Sequence, residues 1–257
     1  MNTFLGFINK LNPKTYISIL LLILAVYGAW QQGIQNIYLQ LLLAISTAVA
    51  IDVIISYIKK KQLIFPSSAF ITGIIIAMVL SPNIYWYIPV IAAAIAILQK
   101  HIIRFPHNKP AFNPAAFGLL AVILLFHTGI SWWGQSIWWL IIAFGLFISY
   151  KTKKLIIPII FIISCAIIFT LGNYLTFKIW NNPFIYVNFF FVFVMLIEPK
   201  TSPYAKKEQY IYSISAAILS YLFFLIAPMY DYSIFALVTT NLLMCIISYA
   251  VSQKMKI

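Results

Sequence analysis

Carboxylates are nearly missing from this chain. Only Asp52, Glu198, Glu208 and Asp231 occur among 257 residues, and charged side chains of both signs make up 8% of it. Four scattered acids exclude the clustered carboxylates that a lipid- or prenyl-modifying enzyme needs for metal or acid–base work, so no catalytic constellation is read here. Cysteine is scarce too. Cys165 and Cys245 stand inside apolar runs, at no spacing suited to a metal or a redox dithiol, and read as packing residues. The shortage of acids leaves a formal charge of +13. The lysines sit at the ends of apolar runs and form no continuous stripe, which excludes a nucleic-acid partner.

What remains is apolar. Hydrophobic residues make up 63% of the chain, its mean hydropathy is +0.99, and such a composition needs a lipid bilayer as solvent. A spanning helix takes roughly 20 apolar residues, fewer where it is re-entrant. Ten segments qualify: Tyr16 to Trp30, Tyr38 to Ile58, Phe65 to Leu80, Tyr87 to Ile103, Asn113 to Phe126, Ile137 to Tyr150, Leu155 to Leu171, Pro183 to Ile197, Tyr210 to Ala227 and Ser233 to Val251. The fold class is therefore all-α and polytopic. Residues 1–14 form an amphipathic N-terminus unlike a cleaved signal. Residues 15–131 and 132–257 form two five-helix halves. An odd number of helices per half makes any internal repeat an inverted one, pairing the third with the eighth segment and the fifth with the tenth.

Basic residues orient the chain. Lys10, Lys14, Lys59, Lys60, Lys61, Lys100, Arg104, Lys109, Lys151, Lys153, Lys154, Lys200, Lys206, Lys207, Lys254 and Lys256 fall on one side of the ten-helix topology, and only Lys178 falls on the other. Positive loops stay in the cytoplasm, so both termini are expected inside the cytoplasmic (inner) membrane of a bacterium or archaeon. Tyr85, Trp86, Trp132, Trp133, Trp180 and Tyr232 gather at the outer ends, where interfacial rings belong. Phe189, Phe190, Phe191 and Phe193 read as lipid-facing or packing residues.

Polar residues at membrane depth are the informative ones, because each must be paired, hydrated or functional. Asp52 is the only acid deep in a span, and it is either paired in place or part of a proton or cation path. The short third and fifth segments open with FPSSAFITG and AFNPAAFG. Ser67 or Ser68 is suited to cap the third, and Asn113 with Pro114 forms a cap followed by proline at the first helical position. Such polar helix starts also aim free N–H groups at a ligand. EPKTSP, Glu198 to Pro203, closes the eighth segment on the same side. Asn241, with Thr239 and Thr240, is suited to hydrogen bonding between helices. His101, His107 and His127 show no pairing on one helix of the kind a haem or metal needs.

The motifs SSAFITGIIIAMVLSP, AFNPAAFG, MLIEPKTSP and YSIFALVTTNLL, in this order from about Leu63 to Leu243, resemble the membrane-subunit family that includes RnfD of the Rnf complex and NqrB of the sodium-pumping NADH:quinone reductase. Thr72 and Gly73, Asn113 to Ala115, Pro199 and Thr201 to Pro203 carry the likeness. The resemblance implies a ten-helix inverted repeat of urea-channel-like architecture within a complex moving electrons and sodium or protons, with other Rnf-like or redox membrane subunits as partners. Taken with the polar residues read above, the candidates for an ion or ligand path are Asp52, Ser67, Ser68, Thr72, Asn113, Pro114, Glu198, Thr201, Ser202 and Asn241. Flavin-bearing relatives attach FMN to a threonine in a long outer loop. Here that loop is only His127 to Ser136, and Thr128 lacks the motif, so no covalent flavin is expected, and a non-covalent one stays open. Phe65, Pro66 and Ser67 replace the family's acid and glycine, and Glu198 stands where aspartate is usual. The other expectation is a stand-alone transporter or channel for a small solute on the same scaffold.

Overall fold

The computed structural model describes residues 13–62, 65–105 and 109–254. The amphipathic N-terminus expected over residues 1–14 lies outside the described residues apart from its last two, as do His107 and Lys256. Within the described residues the chain is almost wholly helical. Its helices are α1 (Pro13–Gln32), α2 (Ile34–Lys60), α3 (Ser67–Val79), α4 (Tyr87–Ile102), α5 (Pro114–Phe126), α6 (Trp138–Lys151), α7 (Ile156–Phe177), α8 (Phe191–Met195), α9 (Lys206–Ile226) and α10 (Tyr232–Lys254). A two-residue hairpin, β1 (Arg104–Phe105) against β2 (Lys109–Pro110), separates α4 from α5.

Among the described residues, α1, α2, α7, α9 and α10 are long and apolar enough to cross a membrane. The protein is thus a polytopic α-helical membrane protein. α3 and α5 have 13 residues each, about 20 Å at 1.5 Å per residue, against a hydrocarbon core of about 30 Å. They reach only part of the way. Nine of the α3 residues are buried, so this short helix ends inside protein rather than in lipid. Its last carbonyls find side-chain partners: Gln40 Nε2 donates to Ala77 O at 2.7 Å and to Leu80 O at 3.2 Å, and Trp133 Nε1 donates to Ala77 O at 2.8 Å. Beyond α3 the backbone runs extended, bridging Leu80 to Ile130.

The eighth segment is not the continuous helix that its hydropathy suggests. Pro183–Tyr186 is a single 3-10 turn, capped by Asn182, whose Oδ1 accepts from Phe184 N–H. Val187 is extended (φ −101, ψ 107), and Asn188 then restarts the helix by accepting from Phe191 N–H at 3.0 Å. The restarted helix, α8, is a π-helical turn with every residue buried. Interrupted backbone is stable at membrane depth only where protein surrounds it. Phe190 through Ile197 are surrounded in this way, each at most 4% exposed.

The packing of the first five helices recurs in the last five. α2 packs on α3 and α4, α4 on α5, and α1 on α3; likewise α7 packs on α8 and α9, α9 on α10, and α6 on α8. The halves meet through α5 against α10 and α1 against α6. Small residues set the closest approaches. A side-chain carbon on Gly73 would meet the Ile45 backbone at 2.7 Å, and one on Gly118 would strike the Ala92 carbonyl, which is how membrane helices gain packing contact without a hydrophobic driving force.

The aromatic belt needs a correction. Tyr85, Trp86 and Trp180 are exposed as interfacial rings should be, but Trp132 and Trp133 are 7% and 3% exposed. Their indole N–H groups are hydrogen-bonded inside, to the Asp231 carboxylate and to Ala77 O. A buried Trp is stable only with such a partner. Tyr232 is half-buried and donates to Tyr186 O. Phe190, Phe191 and Phe193 are core residues, and Cys165 is buried.

Candidate functional site

Asn113 is the hinge of the polar interior. With φ −57 and ψ 119 it precedes Pro114, the first residue of α5, and its Oδ1 accepts from Ala116 N–H at 3.1 Å, the cap expected from AFNPAAFG. The same side chain reaches across the molecule, donating from Nδ2 to Met195 O at 3.0 Å. Its backbone N–H donates to Asn241 Oδ1 at 2.8 Å. Asn241 Nδ2 in turn lies 3.4 Å from Tyr212 Oη, which donates to Leu196 O. Carbonyls at a helix C-terminus have no partner within the helix. One network from α5, α9 and α10 thus satisfies the end of α8, and Asn241 bonds between helices as its sequence context suggested.

Beside this network lies a cavity of about 50 Å³ lined by α1, α3, the start of α5 and the chain after α8. Ser68, Thr72, Asn113, Pro114 and Glu198 all border it, with Lys14 and Lys200 at its mouth. Thr72 Oγ1 donates back to Ser68 O at 2.9 Å, a bond common to hydroxyls on apolar helices. Glu198 accepts from Thr201 Oγ1 at 2.8 Å, and burial pushes its carboxyl above the ordinary glutamate range.

A wider vestibule of about 620 Å³ adjoins the cavity, sharing Lys14, Ser68 and Lys200 with it. Asp52 sits at its wall on α2. Asp52 Oδ1 lies 2.8 Å from Lys100 Nζ and 2.6 Å from His101 Nε2, so the acid is paired by two side chains of α4. Arg104 Nη2 lies 3.2 Å from His101 Nδ1. A guanidinium only donates, so Nδ1 accepts, and Nε2 carries the proton toward Asp52. His101 is a member of this cluster, a role its sequence surroundings did not suggest. Among the described residues no three His, Cys, Asp or Glu side chains come together as a metal site.

Ser67 and Ser68 do not cap α3. The cap position is Pro66, which offers no side-chain acceptor, and Ser67 is the first helical residue. Proline's fixed φ sets the helix start, so both hydroxyls come to the vestibule rim within the first turn.

Lys154, whose sequence position suggested only a cytoplasmic charge, is wholly buried. Its Nζ reaches Ser202 Oγ at 2.6 Å, Ser202 O at 2.7 Å, Pro199 O at 3.1 Å and Glu198 O at 3.5 Å, with the Tyr204 ring 4.1 Å away. Burial drags its pKa down to about 7, against four oxygen acceptors and a ring face that favour the ammonium. Ser202 Oγ also donates to Glu198 O at 2.7 Å. EPKTSP is thus folded around one lysine, which holds Glu198 at the cavity wall. All the residues singled out from the sequence converge on this one end of the bundle. Asp52, Ser67, Ser68, Thr72, Asn113, Pro114 and Glu198 line the two spaces, and Thr201, Ser202 and Asn241 stand behind them through Glu198, Lys154 and Asn113.

A model of the NQR2, RnfD, RnfE family matches residues 12–137. Over these residues, the chain is similar to this family. A curated relative, the D subunit of the proton-translocating ferredoxin:NAD(+) oxidoreductase complex of Clostridium ljungdahlii, is 29% identical over 113 residues, which cover 43% of this chain and 34% of that protein. The chain therefore matches about a third of the relative's length. The part matching the NQR2, RnfD, RnfE family holds α1 to α5, with Asp52, Ser67, Ser68, Thr72, Asn113 and Pro114. Asn113 ties that part directly to Met195 and Asn241 of the second half, which completes the site with Glu198, Thr201 and Ser202.

Thr128 is the one threonine of the short outer loop, where flavin-bearing relatives attach their cofactor. Its Oγ1 is buried without a hydrogen-bond partner, between His127 and the Leu80–Ile130 bridge.

Proposed function

We propose that the chain is an RnfD-like membrane subunit of an electron-transport-linked system that moves sodium or protons, and that it carries no covalent flavin of its own. The observation that carries this reading is the convergence, around one cavity at the start of the half-helices α3 and α5, of polar residues from both halves. Short helices that begin at a buried polar space are how membrane transporters expose N–H groups and carbonyls to an ion. The recurring packing of the two halves supports an inverted repeat, with the basic end in the cytoplasm. Ions would enter by the vestibule past Asp52 and reach Thr72, Asn113 and Glu198. Other redox subunits of the same membrane complex would supply the electrons.

The short outer loop and the enclosed Thr128 hydroxyl favour a second reading, a stand-alone transporter for a small solute. Purification in mild detergent, with flavin fluorescence after denaturation and identification of co-purifying proteins by mass, separates the two. Redox membrane subunits in the preparation, without covalent flavin, are the expected result. A flavin band on the denatured chain overturns the cofactor reading, and a lone polypeptide that moves a solute in vesicles overturns the subunit reading.

A further inference from the structure

The vestibule has a charge problem that the ion path does not resolve. Lys14, Lys59, Lys100, Arg104 and Lys200 line it, and Asp52 is the one carboxylate among its lining residues. That carboxylate is already engaged by Lys100 and His101. The positive excess comes from five separate elements, α1, α2, α4, β1 and the chain after α8, so it is a feature of the fold rather than of one lysine-rich loop. The space then continues past Lys100, Arg104 and Lys200 into a groove bordered by Lys109 and Tyr204. Like charges converging on a hollow repel one another unless an anion sits between them. The first turn of α3 adds the positive end of a helix dipole and the hydroxyls of Ser67 and Ser68 to the same rim.

We propose that this vestibule binds a phosphate group, and that its source is the headgroup of an anionic phospholipid. Two observations select the chemistry. The space, about 620 Å³, exceeds what a monatomic anion fills, and lysine with arginine is the donor set that surrounds several phosphate oxygens at once. Two more select the lipid. Lys59 and Lys200 are exposed at the end of the bundle, the level at which headgroups lie. Ile58, Phe65 and Ile102, beside Lys59, on the vestibule wall and beside His101, are 71%, 70% and 74% exposed, offering an apolar surface to the acyl chains of a lipid whose phosphate is held above.

The test uses the full chain in detergent. Native mass spectrometry counts phosphatidylglycerol retained against phosphatidylcholine, with and without pyrophosphate as a soluble competitor. The comparison is with Lys59→Gln/Lys200→Gln and with a charge-matched control, Lys178→Gln/Lys207→Gln, whose lysines lie outside the vestibule lining. Selective retention of phosphatidylglycerol, weakened about tenfold to thirtyfold in the vestibule pair and unchanged in the control, supports the proposal. Displacement by pyrophosphate supports the phosphate site and adds a free source. Equal retention of the two lipids, or equal loss in the two variant pairs, overturns it. Melting of the variants followed by tryptophan fluorescence shows whether each is folded before its lipid count is read.

Discussion

Asp52 and Lys154 show how differently a buried charge can be treated in one molecule. Asp52 keeps a partner on another helix, Lys100, with both side chains under 10% exposed. Removing one member of such a pair leaves the other as an uncompensated charge, and costs about 3–5 kcal/mol where burial is complete. Asp52→Ala is therefore expected to lower the melting temperature of the detergent-solubilised protein clearly, and Asp52→Ala/Lys100→Met to recover much of the loss. A double variant as unstable as the sum of its two singles would show that the pair carries no coupling. Lys154 has no carboxylate partner at bonding distance and relies on carbonyls. With its pKa lowered from 10.5 to about 7, the folded state holds fewer protons than the unfolded state between those values, so the stability that depends on Lys154 rises with pH across that window. Below pH 7 the lysine is charged in both states and the slope ends. Denaturant titrations from pH 6 to 10 are expected to show this rise in the native chain and a flatter profile in Lys154→Met, which also loses about 1–3 kcal/mol through its orphaned carbonyls.

At the scale of elements, Asn113 joins two helices that the sequence keeps 82 residues apart. Asn113→Ser keeps a neutral capping acceptor for Ala116 N–H but is too short to donate to Met195 O, whereas Asn113→Ala loses both. The alanine variant is expected to cost about 1 kcal/mol more than the serine variant, the usual worth of a cap, read as a melting shift. Equal shifts would mean that the cap contributes nothing. The cap itself was legible in the chain, because Asn followed by Pro before an apolar run has one local meaning. The partners were not, since they lie in the other half and nothing local encodes them. The broken eighth segment was hidden for a related reason: hydropathy is blind to Asn182 and Asn188, which bond to the backbone while leaving the segment apolar on average. Trp132 and Trp133 misled in the same way, because a ring at a helix end reads as interfacial until Asp231 and Ala77 are seen beneath it. Lys154 and His101 were hidden by the charge pattern itself. Their neighbours in sequence are other lysines and Arg104, so Lys154 reads as a loop charge and His101 as a histidine near the interface, and only the folded partners distinguish them.

For the whole molecule, the asymmetry of charge and the recurrence of packing make one joint demand. If the second five helices repeat the first upside down, the starts of α5 and α10 face opposite sides of the membrane. The caps fit that arrangement: Asn113 opens α5 at the basic end, and Asp231 opens α10 by accepting from Ser233 N–H and Ile234 N–H at 2.9 and 3.0 Å, next to Trp132 rather than the lysines. Sixteen basic residues by sequence count are then expected inside and Lys178 outside. Single cysteines placed at Lys178 and at Lys207, in a background of Cys165→Ala and Cys245→Ala, test this in intact cells with a membrane-impermeant thiol reagent. Labelling of Lys178→Cys alone is the expected outcome, with Lys207→Cys reacting only after the cells are opened. Labelling of both from outside, or the reverse order, would place the vestibule on the wrong face for a cytoplasmic ion entrance, and would move Asp52, Asn113 and Glu198 to the exit of any path through the protein.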